Sequence, residues 1–100
     1  MYREDVFEWD PHKATTNRNK HGISFEDAKK AFLDINVVDF LDDRVDYGED
    51  RRNLIGMVNG YLLFVSYTMR KDVIRIISAR GAVPYEQRKY YRINRQLGKI

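Results

Sequence analysis

The stretch RNLIGMVNGYLLFVSYTMRKDVIRIISAR, residues 52–80, decides the fold. It contains three runs rich in β-branched and aromatic residues, a composition that predicts strands. Asn59-Gly60 separates the first two runs and favours a type I′ turn, because both residues tolerate positive φ. Arg70-Lys71-Asp72 is expected to turn the chain before the third run. The runs cover residues 52–58, 61–69 and 73–80.

The residues before this stretch predict a strand and two helices. Val6, Phe7 and Trp9 form the strand, and Asp10-Pro11 then supplies an N-cap and a first-turn proline. The first helix covers about residues 11–20 and ends at Gly22. Ser24 with Asp27 resembles a capping box, with aspartate where Glu or Gln is usual, and begins a second helix. Its apolar side chains recur at near-helical spacing: Phe25, Ala28, Phe32 and Ile35.

Two more elements complete the order. VVDFL, residues 37–41, has strand composition, whereas the acid-rich segment 42–50 is too polar for a core and is read as a loop. Pro84 opens a last helix that runs to Gly98. One side of this helix carries Tyr90, Ile93 and Leu97, and the other carries Arg88, Arg92 and Arg95.

The order predicts one α+β domain over residues 1–100, with an antiparallel β-sheet meander covered on one side by helices. Two of these helices are N-terminal and one is C-terminal. The sequence has no cysteine, which excludes disulfides and thiolate metal sites. No segment approaches the length of an apolar membrane span, so we expect a cytoplasmic protein without membrane contact.

Charge is divided unevenly along the chain. Residues 1–50 contain 7 Lys/Arg and 13 Asp/Glu, whereas residues 51–100 contain 11 and 2, so the halves carry −6 and +9. A basic half of this size indicates a polyanion or an acidic protein partner, because each neutralised phosphate releases counterions. A merely solvated basic surface is the alternative.

The residue types fit RNA cleavage better than cofactor chemistry. The sequence has no P-loop, no GxGxxG, no HExxH and no GxSxG, so no cofactor is expected. Cleavage through the 2′-hydroxyl needs proton transfer and cations that stabilise a phosphorane, and arginine suits the second role. Candidates are Arg51, Arg75 and Arg80. Arg75 and Arg80 are five apart, which points them to opposite faces of a regular strand unless a bulge or the strand end re-aims one of them. Arg80 is the favoured candidate.

Further candidates surround these arginines. Glu49 precedes Arg51 by two residues and is a possible base, or only half of an ion pair. His21 is a candidate for proton transfer and Lys20 for phosphate contact, although the helix dipole alone explains cations at a helix C-terminus. Four tyrosines are candidates for base stacking or proton donation, or for ordinary packing: Tyr67, Tyr85, Tyr90 and Tyr91. Arg75 and Arg88 complete the set expected to contact RNA. Metal binding by the acidic loop is a weaker alternative because the loop lacks EF-hand spacing.

Four blocks of the sequence resemble the BrnT family of toxins. They are FEWDPHKATTNRNKHGISFEDAKKAFLD, GEDRRNLIG, RIISARGA and EQRKYY, in this order over about residues 7–91. The first block matches through Trp9, Asp10, Lys13, Asn17, Lys20, His21, Gly22, Ser24, Phe25 and Ala28. The later blocks match through Glu49, Arg51, Ile55, Gly56, Arg75 and Arg80. Gly81 departs from the pattern, since members often have a second basic residue there, and Arg52 stands where an aromatic residue is common.

The resemblance implies a RelE-like, metal-independent endoribonuclease that inhibits translation. It also implies a hetero-oligomer with a BrnA-like antitoxin, whose ribbon-helix-helix domain binds operator DNA. Two alternatives stay open: a non-catalytic basic module that binds an acidic protein or nucleic acid, and a metal-dependent nuclease that uses the acidic loop.

Overall fold

The computed structural model describes residues 2–4, 6–42 and 50–100 of the chain. Three α-helices, one 3₁₀ helix and six strands are assigned within these residues. The strands are β1 (Tyr2–Glu4), β2 (Phe7–Trp9), β3 (Val38–Leu41), β4 (Arg51–Val58), β5 (Tyr61–Arg70) and β6 (Val73–Gly81). The helices are α1 (Pro11–His21), α2 (Phe25–Ala28), the 3₁₀ helix Lys29–Leu33 and α3 (Pro84–Gln96). The α+β class is confirmed.

The described strands form one mixed sheet in the order β1-β2-β6-β5-β4-β3. Strands β3 to β6 form the predicted antiparallel meander. The predicted antiparallel meander is only part of the sheet, because β2 pairs with β6 in parallel, through Phe7↔Ile74 and Glu8↔Arg75. A parallel pair needs a long crossover, and the helices between β2 and β3 provide one. Strand β1, which the sequence did not predict, adds an antiparallel partner to β2.

Both predicted hairpin turns are confirmed. Asn59 and Gly60 have φ values of 51° and 85°, as a type I′ turn requires at its two central positions. The second turn is Lys71-Asp72, in which Lys71 has a φ of 58°. These tight turns fix the register of β4, β5 and β6.

Helix α1 is held by its caps and by one buried amide. Asp10 accepts a hydrogen bond from the backbone N–H of His12, and Gly22 closes the helix at a φ of 73°. Asn17 donates from Nδ2 to the carbonyl of Ala79 at 2.8 Å and accepts from the N–H of Ala79 at 3.1 Å. The amide therefore pairs with β6 as a neighbouring strand would. This contact anchors a helix that has little apolar surface.

The second predicted helix is shorter and tighter than expected. Ser24 accepts from the N–H of Asp27 at 3.0 Å, as predicted, but α2 has one turn and continues as the 3₁₀ helix. Ile35 lies beyond it and is 85% exposed, so the apolar role predicted for Ile35 is wrong. Asp34 ends the 3₁₀ helix and accepts from the N–H of Met57 and from the hydroxyl of Tyr90. It thereby ties the 3₁₀ helix to β4 and α3.

The sheet has helices on both faces, not on one side as predicted. We call the face that packs on α2 and the 3₁₀ helix the core face. The core between this face and the helices consists of buried residues from both layers. The sheet contributes Trp9, Leu54, Val58, Leu63, Val65, Tyr67, Ile76 and Ala79, and the helices contribute Phe25, Ala28 and Ala31. Helix α3 packs on the opposite face, which we call the α3 face, through a smaller cluster of Val38, Ile55, Phe64 and Tyr90. Leu97, predicted to share the buried side of α3, lies after the helix and is 65% exposed. In the described part of the chain, no helix has the length and apolar character needed to cross a membrane.

Candidate nucleic-acid interface

A β-bulge brings Arg75 and Arg80 to the same face of the sheet. Ser66 pairs with Ser78, but the next residue of β5, Tyr67, pairs with Ile76. Ile77 is therefore an extra residue on β6. Side chains alternate between the two faces of a regular strand, and the extra residue shifts this alternation by one position. Arg75 and Arg80 therefore both lie on the α3 face, although they are five residues apart. The sequence predicted opposite faces for a regular strand, and the bulge removes that conflict.

Arg51 lies in the same row as Arg75. Both residues pair with Thr68 of the strand between them, so their Cα atoms are about 10 Å apart across two strand spacings. The adjacent row is polar and consists of Asn53, Ser66 and Ser78. Helix α3 packs on the row beyond, around Ile55 and Phe64. The part of the α3 face that carries these arginines is thus polar, whereas the part under α3 is apolar.

Arg80 is fixed at the boundary between the polar and apolar parts. Its two terminal nitrogens donate to the two carboxylate oxygens of Glu86, each at 2.8 Å. The guanidinium also lies over the ring of Phe64, 4.4 Å from the centroid. Glu86 accepts in addition from the N–H of Val83 at 2.9 Å, which caps α3. The carboxylate therefore orients Arg80 while it holds the start of the helix.

Sequence reasoning missed Glu86. The available signal was its position two residues after Pro84, where a glutamate in the first turn caps a helix by reaching back to the N-cap N–H. That signal indicates a capping role and says nothing of Arg80, because the pairing with β6 is a tertiary contact.

A cleft of about 390 Å³ lies between the first turns of α3 and the sheet. Its described lining is mixed: aromatic rings and a leucine alternate with an amide, two acids and a lysine. These residues are Phe40, Leu41, Asp42, Asn53, Phe64, Tyr85, Glu86 and Lys89. The ammonium of Lys89 lies 3.4 Å from the ring centroid of Phe40, a cation–π contact. Of the candidates chosen from the sequence, Tyr85 lines this cleft.

Lys20 and His21 lie at another border of the α3 face. They are exposed at the end of α1 and line a shallow pocket of about 230 Å³ that also includes Ser78. Ser78 belongs to the polar row, two residues from Arg80. The end of α1 therefore places Lys20 and His21 beside the β6 edge of the polar surface, where a polyanion bound to the arginines would pass.

Three candidates are placed elsewhere. Tyr67 is buried on the core face and donates to Asp39 at 2.5 Å, which agrees with the packing alternative. Burial, together with Asp39, raises the pKa of Tyr67 to about 12. Arg88 lies in a separate groove of about 480 Å³ on the outer surface of α3, with Arg92 and Arg95. Glu49 lies outside the described residues.

The acidic loop predicted as an alternative metal site lies mostly outside the described residues. Its acids within them are Asp42 and Asp50. Among residues 2–4, 6–42 and 50–100, no three His, Cys, Asp or Glu residues form a group suited to a metal ion.

Comparison with known families gives a match over most of the chain. A family model described as the ribonuclease toxin, BrnT, of type II toxin–antitoxin systems matches residues 9–86. The matched segment includes α1, the whole meander and the start of α3 as far as Glu86. No match was found among curated proteins. Because the family model covers more than half of the chain, this protein belongs to the BrnT family of ribonuclease toxins of type II toxin–antitoxin systems.

Proposed function

We propose that the chain is a metal-independent endoribonuclease whose arginines on the α3 face bind and stabilise the reacting phosphate. The observation that carries this proposal is the bulge at Ile77, which aligns Arg75 with Arg80 beside Arg51. Arginine remains charged at all relevant pH values and binds two phosphate oxygens at once. Arg51 and Arg75 add positive charge of the kind that a dianionic phosphorane requires, and Arg80 is held on the same face by its ion pair with Glu86.

The proposed reaction uses the RNA's own nucleophile. A base removes the proton of the 2′-hydroxyl, the resulting oxygen attacks phosphorus, and the bond to the 5′-oxygen breaks as that oxygen takes up a proton. The products are a 2′,3′-cyclic phosphate and a 5′-hydroxyl. We assign proton transfer to His21 or Glu49 and phosphate contact to Lys20. Glu86 is assigned a positioning role, because both of its oxygens bind Arg80.

We also propose that a BrnA-like antitoxin covers the α3 face. An acidic or aromatic segment of the antitoxin would bind near Arg51 and Arg80 and exclude RNA. Its ribbon-helix-helix domain would carry the hetero-oligomer to operator DNA, and the free toxin would act on cytoplasmic RNA and stop translation. Binding between the two proteins should weaken as the ionic strength rises, because the contact pairs charges at a surface.

The decisive experiment is incubation of the antitoxin-free protein with end-labelled RNA in excess EDTA. The wild type should cleave the RNA and leave 2′,3′-cyclic phosphate ends. Cleavage that stops in EDTA and returns with Mg²⁺ would refute metal independence. Intact RNA at every metal concentration, from a folded protein that still binds its antitoxin, would favour the non-catalytic binding module.

Neighbouring residues of β4 provide a matched control. Arg51 lies on the α3 face, whereas Arg52 points to the other face and donates to Asp39 at 3.0 Å. Removal of one group that stabilises developing charge lowers the rate by about 100- to 1,000-fold. Arg51→Ala and Arg75→Ala should show such losses, and Arg52→Ala should retain activity. Arg80→Ala is best combined with Glu86→Gln, so that no buried carboxylate loses its cation.

A further inference from the structure

The cleft beside α3 contains a buried amide with donor capacity left over. Asn53 is only 2% exposed and lines the cleft. Its Oδ1 accepts from the hydroxyl of Ser66 at 2.7 Å, and its Nδ2 donates to none of the described residues. Nδ2 is not among the buried side-chain atoms of the described residues that lack a partner, so solvent in the cleft still reaches it. It therefore presents a donor to the cleft, where an acceptor that enters from outside can bind it.

The walls of the cleft suit a flat, neutral ligand. The rings of Phe40 and Phe64 meet at 6.2 Å with an interplanar angle of 63°, and Tyr85 adds a third ring that is 65% exposed. Among the described charged residues of the lining, Glu86 is paired with Arg80, and Lys89 offsets Asp42, so the lining is close to neutral and fits an uncharged ligand. A planar ligand with a hydrogen-bond acceptor at its edge matches both the rings and the amide.

We infer that this cleft binds one unstacked nucleobase of the RNA, with Asn53 donating to an acceptor on the base edge and Tyr85 stacking on the base. The inference rests on the proposed ribonuclease function and names the part of the substrate that the arginines do not read. Single-stranded RNA is recognised by this combination, because aromatic rings stack on splayed bases while amides bond to their edges. Asn53 lies on the same face of β4 as Arg51, two residues further along the strand. The phosphates that flank a nucleotide with its base in the cleft would therefore lie near the arginines.

The side-chain amide of Asn53 reports binding directly. We would record ¹H–¹⁵N spectra of the labelled protein with each of the four nucleoside 5′-monophosphates, and with ribose 5-phosphate and inorganic phosphate as controls. At least one nucleotide should shift the Asn53 amide signals, whereas ribose 5-phosphate should leave them in place. Equal shifts with ribose 5-phosphate, or no shift with any nucleotide at millimolar concentration, would overturn the inference.

Two exposed tyrosines provide a matched pair of variants that do not threaten the fold. Tyr85 lies at the cleft and Tyr61 at the β4–β5 turn, where it is 74% exposed. Loss of one stacking ring weakens base binding by roughly 5- to 150-fold. Tyr85→Ala should weaken the nucleotide Kd within this range, and Tyr61→Ala should leave it unchanged. An unchanged Kd in Tyr85→Ala would contradict the stacking role.

The amide itself is tested by an isosteric change. Asn53→Asp replaces the donor by an acceptor and should abolish the nucleotide-dependent shifts of the cleft, whereas Ser66→Ala keeps Nδ2 and should preserve them. RNA cleavage in EDTA by a protein that binds no nucleotide would remove this inference and leave the proposed function intact. Nucleotide binding without RNA cleavage would instead leave the base-binding cleft intact and remove the proposed ribonuclease function.

Discussion

Among the described glycines, Gly56 is the one where an added methyl group should lower the stability of the fold most. It is buried in the middle of β4, facing Ala31 of the 3₁₀ helix. A Cβ at this position would lie 2.5 Å from the carbonyl oxygen of Ala31 and 3.0 Å from its Cβ. The first of these atoms belongs to the backbone, so no side-chain rotation relieves the contact. Gly56→Ala therefore forces the strand and the 3₁₀ helix apart.

The size of the effect follows from this distance. Ordinary contact begins at 3.4 Å, so the backbone must separate by about 0.9 Å. Gaps of this size forfeit roughly a quarter to a half of the dispersion energy of the atoms that line them, here around the fully buried Ala28 and Ala31. Overpacking of this kind costs about 3 kcal/mol, the upper part of its usual range. For a domain of this length, Tm should fall by roughly 12 to 24 °C.

Thermal unfolding followed by circular dichroism measures this loss, with Gly81→Ala as the control. A Cβ at Gly81 would meet nothing within 4 Å, so this variant should unfold within a few degrees of the wild type. A Gly56→Ala protein with unchanged Tm would refute the argument, because it would show that the 3₁₀ helix moves away freely.

Three further predictions concern buried polar groups. Asn17→Ala should lower the free energy of unfolding, measured by urea titration, by about 2 to 3 kcal/mol, because the N–H and C=O of Ala79 both lose their hydrogen-bond partner. A loss below about 0.5 kcal/mol would show that water replaces the amide. Burial alone would raise the pKa of Asp34, but hydrogen bonds from the Tyr90 hydroxyl and two backbone N–H groups outweigh it and hold the pKa below its ordinary 3.8. The stability that Asp34 contributes is therefore present above pH 3.8 and is lost as the pH falls below it. As the pH falls below 3.8, the free energy of unfolding of Asp34→Asn should fall less steeply than that of the wild type. The pKa of Tyr67 is raised from 10 to about 12, so its contribution is complete below pH 10 and disappears as the pH rises towards 12. Tyr67→Phe should reduce the alkaline loss of stability, and an unchanged alkaline limb would contradict the buried contact with Asp39.

The hairpins and helix caps were predictable because their causes are local. Asn59-Gly60 requires positive φ wherever it occurs between strands, and Asp10 and Ser24 bond to N–H groups two and three residues away. Strand composition in the meander reflects burial on one or both faces, which the residue types record directly. These features together determine the order of β3 to β6.

The pairing of β2 and the length of the second helix were not predictable in this way. Two residues of β2 join β6 in parallel only because the helices between them cross the sheet, a tertiary relation without a local signal. The apolar spacing that continues to Ile35 resembles a longer helix, but Asp34 leaves the helix to reach Met57 and Tyr90. Tertiary contacts replaced the local preference.

The candidate site shows the same division. Arginine at positions 51, 75 and 80 was identified from chemistry alone, but the shared face of Arg75 and Arg80 depends on a register shift of one residue. The cleft was missed because Asn53 belongs to β4 whereas Tyr85 and Glu86 belong to α3, and each residue has an ordinary structural explanation when read singly.

The amide of Asn17 also has a consequence for assembly. Beyond Arg75, β6 is no longer paired with β2, and an exposed strand edge of this kind is a template on which other chains add strands and aggregate. Asn17 occupies the N–H and C=O of Ala79 at this edge, and α1 lies beside it. The helix therefore prevents strands of other molecules from pairing with this edge. A protein with Asn17→Ala should consequently be less soluble as well as less stable.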